Sequence, residues 1–363
     1  MKLTDDFLSI VLNETPLLDV RAPVEFQKGA FINATNIAIL EDEERHLVGT
    51  KYKEEGNTAA VKLAEELIQK QGQKLRIEKW KEYLQENPNA LLYCFRGGQR
   101  SAISQAWLKE VGIDITRLKG GYKAFRNYLM QESLKISANS KTLILGGRTG
   151  SGKTVLLQEL ENMIDLEKIA NHRGSSFGQF ATSQPSQIDF ENTLAYKLIQ
   201  HNHKNFKHLV IEHESQNIGR SFMPKEIYEN LMNGELIILE TPLDIRVEIT
   251  FKEYISEALK KYVLIYKENA LIEWAKSIKE SLIKMKKRLG LEKYIEFKDV
   301  FEDALYHHLQ TGEKEQYKIF IERLLVDYYD PMYDYQIKKS KIPIVFKGNR
   351  EEVLQFINSK KSL

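Results

Sequence analysis

Eight residues near the middle of the chain, Gly147-Arg148-Thr149-Gly150-Ser151-Gly152-Lys153-Thr154, fit the pattern G-x-x-x-x-G-K-[ST]. An apolar run, TLILGG (Thr142–Gly147), leads into them, and VLLQELENM, with apolar residues at helical spacing, leads out. Few folds accept strand, glycine loop and helix in that order, because the loop needs a buried strand ending behind it and a helix N-terminus opening in front. The glycines let backbone N–H groups converge on phosphate oxygens, the helix end adds partial positive charge, and Lys153 adds a whole one. Gly147, Gly150, Ser151, Gly152, Lys153 and Thr154 are therefore the expected phosphate-binding residues. Thr154 stands where such loops ligate Mg²⁺, and whether Mg²⁺ is needed stays open. The pattern points to a phosphate or pyrophosphate without saying which.

Around this loop the chain reads as an α/β protein. Apolar runs at HLVIEHE (His208–Glu214), ELIILET (Glu235–Thr241) and IPIVFKG (Ile342–Gly348) supply further strands, and a stretch rich in Lys, Glu, Leu and Tyr from 249 to about 335 reads as a helical subdomain. Glu212 and Glu214 close the first of those runs, where a carboxylate either holds a metal-bound water or is a solvated strand-end charge. Upstream, PLLDV (Pro16–Val20) and ALLYC (Ala90–Cys94) alternate with amphipathic stretches at Ala60–Gln71 and Ser101–Val111. The stretch SLKISANSK (Ser133–Lys141), polar and small, separates this upstream region from the strand TLILGG, and the boundary is placed there, giving domains at 1–135 and 136–363. A length of 363 residues with 42% hydrophobic content suits two such cores. There is no run of eighteen apolar residues and no signal-like N-terminus, so a cytoplasmic chain is expected. The net charge of +2 does not by itself call for nucleic acid.

Cys94 is the only cysteine, which excludes an internal disulfide or a thiolate zinc cluster. It lies in YCFRGGQRSA, between an apolar strand and a helix expected to begin at Ser101. The six intervening residues read as a tight loop whose N–H groups, with Arg96, Arg100 and the helix N-terminus, favour a thiolate and any anion bound to it. Cys94, Arg96, Gly97, Gly98, Arg100 and Ser101 are thus the expected catalytic loop, the alternative being a cysteine buried as a small hydrophobe. This order of strand, cysteine loop and helix resembles the rhodanese fold, which serves sulfurtransferases carrying a persulfide and phosphatases forming a phosphocysteine. The C-x5-R spacing of Cys94 and Arg100 is closer to the phosphatase loop, and a loop of that size also fits selenium or selenophosphate. No catalytic aspartic acid for an alcohol leaving group is evident, Glu25, Asp42 and Glu43 being the acids left open.

Together with LLDVRAPVEFQKGAF (Leu17–Phe31), DEERHLVGTKYKEEG (Asp42–Gly56), LKGGYKAFR (Leu118–Arg126), DLEKIANHRGSSFG (Asp165–Gly178) and YYDPMYDYQ (Tyr328–Gln336), the two loops make nearly the whole chain resemble the tRNA 2-selenouridine synthases. That family joins an N-terminal rhodanese domain to a P-loop domain. The resemblance implies a transferase acting on tRNA with 2-thiouridine at the wobble position, whose sulfur is exchanged for selenium from selenophosphate supplied by a selenophosphate synthase. It also implies S-geranyl-2-thiouridine, made from geranyl pyrophosphate, as the intermediate, since alkylation turns a poor thione leaving group into an acceptable thiol. No tightly bound cofactor, no membrane and a monomeric state are expected. Carried over residue by residue, Cys94, Gly97, Gly98, Arg100 and Ser101 match the family's cysteine loop, and Gly147, Gly150, Gly152, Lys153 and Thr154 its phosphate loop. EHESQNIG (Glu212–Gly219) departs from it: His213 separates the acids, and Gln216 follows Ser215 where an arginine is expected.

His172, Arg173, Ser175 and Ser176 suit a second anion loop or a capped turn. Between Ala258 and Lys298 eleven Lys or Arg stand against five Glu, either a track for the tRNA backbone or a solvated helix face. The tyrosines around Pro331 either stack bases, line a geranyl pocket or pack the subdomain, which is the usual use of aromatic area. Two rival functions stay open: a rhodanese-fold sulfurtransferase or phosphatase with a regulatory nucleotide-binding domain, and a non-catalytic nucleotide-dependent binding module.

Overall fold

The computed structural model describes residues 2–360 and divides into two compact units. One contains the residues up to Ile136 together with Ser186–Lys204, the other Ser137–Pro185 and the residues from Asn205 onward.

The first unit is built on a sheet of five short strands, β1 (Leu3–Thr4), β2 (Leu17–Asp19), β3 (Ala34–Asn36), β4 (Leu91–Tyr93) and β5 (Thr116–Leu118), in the order β1-β5-β4-β2-β3. Every pairing is parallel, with Leu17 opposite Leu91 and Asp19 opposite Tyr93. Parallel sheets are covered on both faces, which is why PLLDV and ALLYC read as continuous apolar runs, whereas β1, β3 and β5 are too short and polar to signal themselves. Asp19 is nevertheless fully buried, and the buried Arg21 guanidinium donates to its carboxylate at 2.6–3.1 Å while lying 4.0 Å from the centroid of the Tyr122 ring.

The change from the first unit to the second, after Ile136, falls inside SLKISANSK, which is helical rather than loop: the helix Gly121–Asn139 runs through most of it, with Ser133 and Ser137 buried and the Ser133 hydroxyl donating back to Met130 O at 3.0 Å. The helix Gln187–His203, which the sequence places in the P-loop domain, packs in the first unit. Its Asp189 Oδ1 accepts from Ala30 N at 2.7 Å, and Asn192 donates to Ala30 O at 2.7 Å while accepting from Arg126 at 2.7 Å. These bonds join positions more than sixty residues apart in sequence, which no local pattern announces.

The second unit holds β6 (Thr142–Gly147), β7 (Met163–Ile164), β8 (Leu209–Glu212), a two-stranded hairpin of β9 (Asn217–Ile218) and β10 (Ser221–Phe222), β11 (Glu235–Leu239) and β12 (Ile344–Gly348). The main sheet is parallel in the order β12-β11-β6-β8-β7, and central β6 is buried at all six positions. From Leu243 to Lys339 the chain is mostly helical, around a core that includes Trp274, Phe297, Phe301, Tyr317 and Phe320. Tyr328 and Tyr329 lie in a π-helical turn, Leu325–Tyr329, and both are buried in that core, so packing accounts for them. Among the described residues no helix is long and apolar enough to cross a membrane.

Candidate active sites

Cys94 follows β4 and is buried. The helix Gln99–Glu110 opens on Gly98, two residues earlier than the sequence suggests, so the loop after the sulfur contracts to Phe95–Gly98. Cys94 Sγ donates to Ser101 Oγ at 3.2 Å, and the Ser101 hydroxyl donates onward to Gly98 O at 3.1 Å. On ionisation of the thiol, that hydroxyl can turn and donate to the thiolate. The cation beneath the loop is one the sequence reading missed. Arg117 on β5 donates to Gly97 O at 3.1 Å and Gln105 Oε1 at 2.7 Å, and its Nη1 lies 3.4 Å from Ser101 Oγ. Arg96 is exposed beside the Phe95 ring, and Arg100 forms a bidentate ion pair with Glu25. Burial pushes the Glu25 carboxyl up, but the Arg100 guanidinium outweighs burial and holds it below the ordinary range, so Glu25 is ionised at neutral pH and is no proton donor. Asp42 is already engaged as the acceptor for Val24 N at 2.8 Å, and Glu43 is exposed.

The motif LKGGYKAFR acquires a physical reason. Gly121 has φ +59°, and a Cβ there would lie 2.2 Å from Cys94 O and 2.4 Å from Gly97 N. Tyr122 N and Lys123 N donate to Cys94 O and Phe95 O, each at 2.9 Å, so the start of this helix clamps the cysteine loop by backbone alone. Gly121→Ala is expected to cost about 2–4 kcal/mol from backbone overlap and left-handed strain. A denaturant midpoint for the first unit unchanged by this substitution would contradict the clamp.

In the second unit β6 ends at Gly147 and the helix Lys153–Leu157 starts on Gly152, whose φ is +83°. Gly150, at φ +77°, leaves no room for a Cβ against Thr250 Oγ1 at 2.4 Å and Arg246 O at 2.9 Å. Lys153 Nζ donates to Gly147 O at 3.0 Å, and Ser151 Oγ is buried without a hydrogen-bond partner among the described residues. The loop is braced by two arginines. Buried Arg246 donates through Nε to Thr149 O at 3.0 Å and grips both oxygens of Asp330 at 2.6 and 2.9 Å, while Arg148 reaches Asp334 at 2.8 Å. The acids of YYDPMYDYQ therefore fasten the phosphate loop to the helical region.

Thr154 Oγ1 donates to Glu212 Oε1 at 3.0 Å and lies 3.5 Å from Glu167 Oε2. One oxygen each from Glu167, Glu212 and Glu214 falls within 4.8 Å of the others. Glu212 is fully buried, and its second oxygen has no partner among the described residues. Burial pushes all three carboxyls up, Glu212 well above the usual range and Glu214 to about 8; the charge of Glu167 adds to this at the other two, and Lys153 opposes it. The orphaned oxygen, the hydroxyl and the three converging acids fit a divalent cation. Glu167 was not singled out from the sequence, because it lies on the short helix Leu166–Ala170, far along the chain from β8.

A cleft of about 940 Å³ joins these groups: the phosphate loop, Glu167 and Glu214, and Arg173, Ser175 and Ser176 of the expected second anion loop. Arg173 is held by Glu253 O at 3.0 Å and stacked against Phe180 and Tyr254, with ring centroids 4.4 and 4.6 Å away. His172 is bridged to Gln179, and burial followed by the Arg173 charge pushes its pKa down. The cleft walls turn apolar at Phe180, Leu264, Ile265 and Met332.

The family description "tRNA 2-selenouridine synthase AAA domain" matches residues 140–363, and "Rhodanese-like domain" matches residues 4–128. A tRNA 2-selenouridine synthase of Sulfurovum sp. (strain NBC37-1) is 52% identical over 354 residues, covering 98% of this chain and 97% of that relative. The chain belongs to the tRNA 2-selenouridine synthase family. Relatives of the same name from Alcanivorax borkumensis and Shewanella frigidimarina are 42% and 41% identical, over 98–99% of this chain and 99% and 98% of theirs. Against the family frame, the reading of Cys94, Ser101, Lys153 and Thr154 is supplemented by Arg117, Glu25, Glu167, Arg246 and Asp330. Each of these acts through a partner distant in sequence, and only Glu25 had been weighed beforehand. His213, the departure at β8, donates its backbone N–H to Leu145 O at 2.9 Å and lines the cleft beside Glu214.

Proposed function

We propose that the chain is a tRNA 2-selenouridine synthase working in two steps: S-geranylation of wobble 2-thiouridine from geranyl pyrophosphate in the second unit, and replacement of the geranylthio group by selenium from selenophosphate at the Cys94 loop. The observation that carries this reading is the match over nearly the full length of relatives bearing that name, with both loops intact in this chain.

In the first step the sulfur of thiouridine forms a bond to the allylic carbon of the geranyl group, the carbon–oxygen bond to pyrophosphate breaks, and the N3 proton of the base is lost. The amides of Gly150–Lys153 and the Lys153 ammonium receive the departing pyrophosphate charge, as preorganised donors aimed where charge develops. The lining combines the phosphate loop with apolar residues such as Phe180, Ile265 and Met332, a mixture that suits a pyrophosphate carrying a hydrocarbon tail. Lys261 and Arg288, also on the cleft wall, are placed to meet the tRNA backbone. A divalent cation held by Thr154, Glu167, Glu212 and Glu214 would neutralise pyrophosphate oxygens.

In the second step a persulfide-like selenium on Cys94 would require an oxidant, and the chain has no second cysteine to resolve it. Attack of the Cys94 thiolate on phosphorus balances without one. The S–P bond forms and the P–Se bond breaks; selenide adds to C2 of the base and expels geranylthiolate, which takes up a proton; water hydrolyses the phosphocysteine to phosphate. The Phe95–Gly98 loop, Arg117 beneath it and the Ser101 hydroxyl suit the anionic phosphoryl group.

The test is incubation with 2-thiouridine tRNA and geranyl pyrophosphate, then selenophosphate, with nucleosides read by mass spectrometry. S-geranyl-2-thiouridine followed by 2-selenouridine is expected; neither product would sink the reading. The cation site has its own test. Millimolar Mg²⁺ is expected to raise the melting temperature of the wild type, by the equivalent of about 2.7 kcal/mol at a hundredfold excess over Kd. Glu212→Gln, which keeps the shape of this fully buried side chain and an oxygen to accept from Thr154, should melt no lower than the wild type without Mg²⁺ and gain nothing from it. A wild type indifferent to Mg²⁺ would refute the site.

A further inference from the structure

A second cavity, of about 760 Å³, lies wholly within the first unit and takes no part in the chemistry described above. Its volume is within the roughly 300–1,000 Å³ of small-molecule sites. Three helices wall it: Asp42–Glu55, Asn57–Glu86 and Gln99–Glu110, the last being the helix that opens at the cysteine loop. The lining is largely apolar, including Ile39, Leu40, Ala64, Ile68, Ile103 and Trp107, and several of these belong to the same core cluster as Cys94. Gln99 and Arg100, in the first turn after the cysteine loop, also line it. Its charged lining sets Arg45, Lys53, Lys70 and Arg100 against Glu25, Glu65 and Glu110, with Glu25 paired to Arg100 and 3.8 Å from Arg45.

Two features mark the cavity as more than imperfect packing. The helix Asp42–Glu55 buries none of its residues fully and leaves Leu47 48% and Tyr52 57% exposed, so this wall is held to the core by the half-buried Val48 rather than by a continuous apolar face. The opposite wall is interrupted at Gln69, whose φ of 53° and ψ of 169° place a non-glycine residue in a region that costs about 1–3 kcal/mol. A largely apolar space of this size, walled by the helix that follows the cysteine loop, suits an apolar chain.

We propose that this cavity receives the geranyl group of S-geranyl-2-thiouridine tRNA during the selenium step, with the exposed Lys53 and Lys70 of its lining meeting the RNA backbone. The inference rests on the geranylation reading above and deepens it. Seating the leaving group beside the helix that carries the loop would orient C2 of the base toward the selenium released there, and would let the site discriminate geranylated from unmodified tRNA.

The test measures calorimetric binding of the free nucleoside S-geranyl-2-thiouridine, and selenation of chemically prepared S-geranyl-2-thiouridine tRNA, by the wild type and by Ala64→Trp and Val61→Trp, which fill the cavity from its floor and from a half-exposed wall position. Unfolding midpoints select the variants that fold. At least a tenfold loss of nucleoside binding is expected, with at least a tenfold rise in KM for the geranylated tRNA and an unaltered rate of geranylation from geranyl pyrophosphate. Filled variants that bind the nucleoside and select geranylated tRNA as the wild type does would overturn the proposal. Failure of the wild type to geranylate tRNA would overturn the reading beneath it, while the nucleoside-binding arm still decides whether the cavity takes the prenyl group.

Discussion

Lys153→Ala is expected to lower geranylation of 2-thiouridine tRNA by at least about 10²-fold, the usual effect of removing one preorganised donor from a developing anion. Cys94→Ala should geranylate at the wild-type rate and make no 2-selenouridine. The separation follows from where the groups sit. Lys153 Nζ rests on Gly147 O, and the other groups of its cleft all come from the second unit; Cys94, Ser101 and Arg117 all belong to the first. Geranylation is read on 2-thiouridine tRNA with geranyl pyrophosphate, and selenation on tRNA that already carries S-geranyl-2-thiouridine, so that each loss is measured on its own substrate. If one substitution abolished both reactions on their own substrates without unfolding the protein, the two steps would share a single catalytic centre.

Arg246→Met is expected to destabilise the second unit by about 3–5 kcal/mol, because removing one partner leaves a poorly solvated charge unpaired. Arg246 is 2% exposed, bonded to both oxygens of Asp330 and to Thr149 O, so its loss also frees the phosphate loop from the helical region. The double substitution Arg246→Met/Asp330→Leu should regain much of that stability, since apolar residues of similar volume often replace a buried pair at little cost. It should not regain geranylation, because Thr149 remains untethered. Denaturant unfolding of the three proteins measures the effect; a single substitution within about 0.5 kcal/mol of the wild type, the range of ordinary surface changes, would mean that the pair does not brace the loop.

The elements legible in the sequence are those whose cause is local. TLILGG, the glycine loop and the helix after it are consecutive, as are ALLYC and the cysteine loop, and each run carries its own burial and backbone requirement. The strands Leu3–Thr4 and Thr116–Leu118 mix Thr and Arg with Leu and lack the continuous apolar run that marks the equally short Leu17–Asp19 and Leu91–Tyr93. SLKISANSK is polar and small in composition yet helical, the buried Ser133 donating its hydroxyl to Met130 O and the buried Ser137 accepting from Asn230 Nδ2. The site was legible to the same degree. Cys94, Ser101, Lys153 and Thr154 stand in contiguous motifs, but Arg117, Glu167 and Asp330 reach their sites across tens of residues. YYDPMYDYQ drew attention for its aromatic residues, while the contacts to the phosphate loop come from its two outer acids, Asp330 and Asp334. The loop size inferred from C-x5-R also changed, since the helix starts at Gln99 and Arg100 turns to Glu25.

The most direct measurement of the two-step account is a bypass. Lys153→Ala is given tRNA that already carries S-geranyl-2-thiouridine, together with selenophosphate and no geranyl pyrophosphate, and the nucleosides are analysed by mass spectrometry. The account predicts 2-selenouridine at close to the wild-type rate from Lys153→Ala and none from Cys94→Ala on the same substrate. No selenation by Lys153→Ala, or selenation by Cys94→Ala, would contradict it.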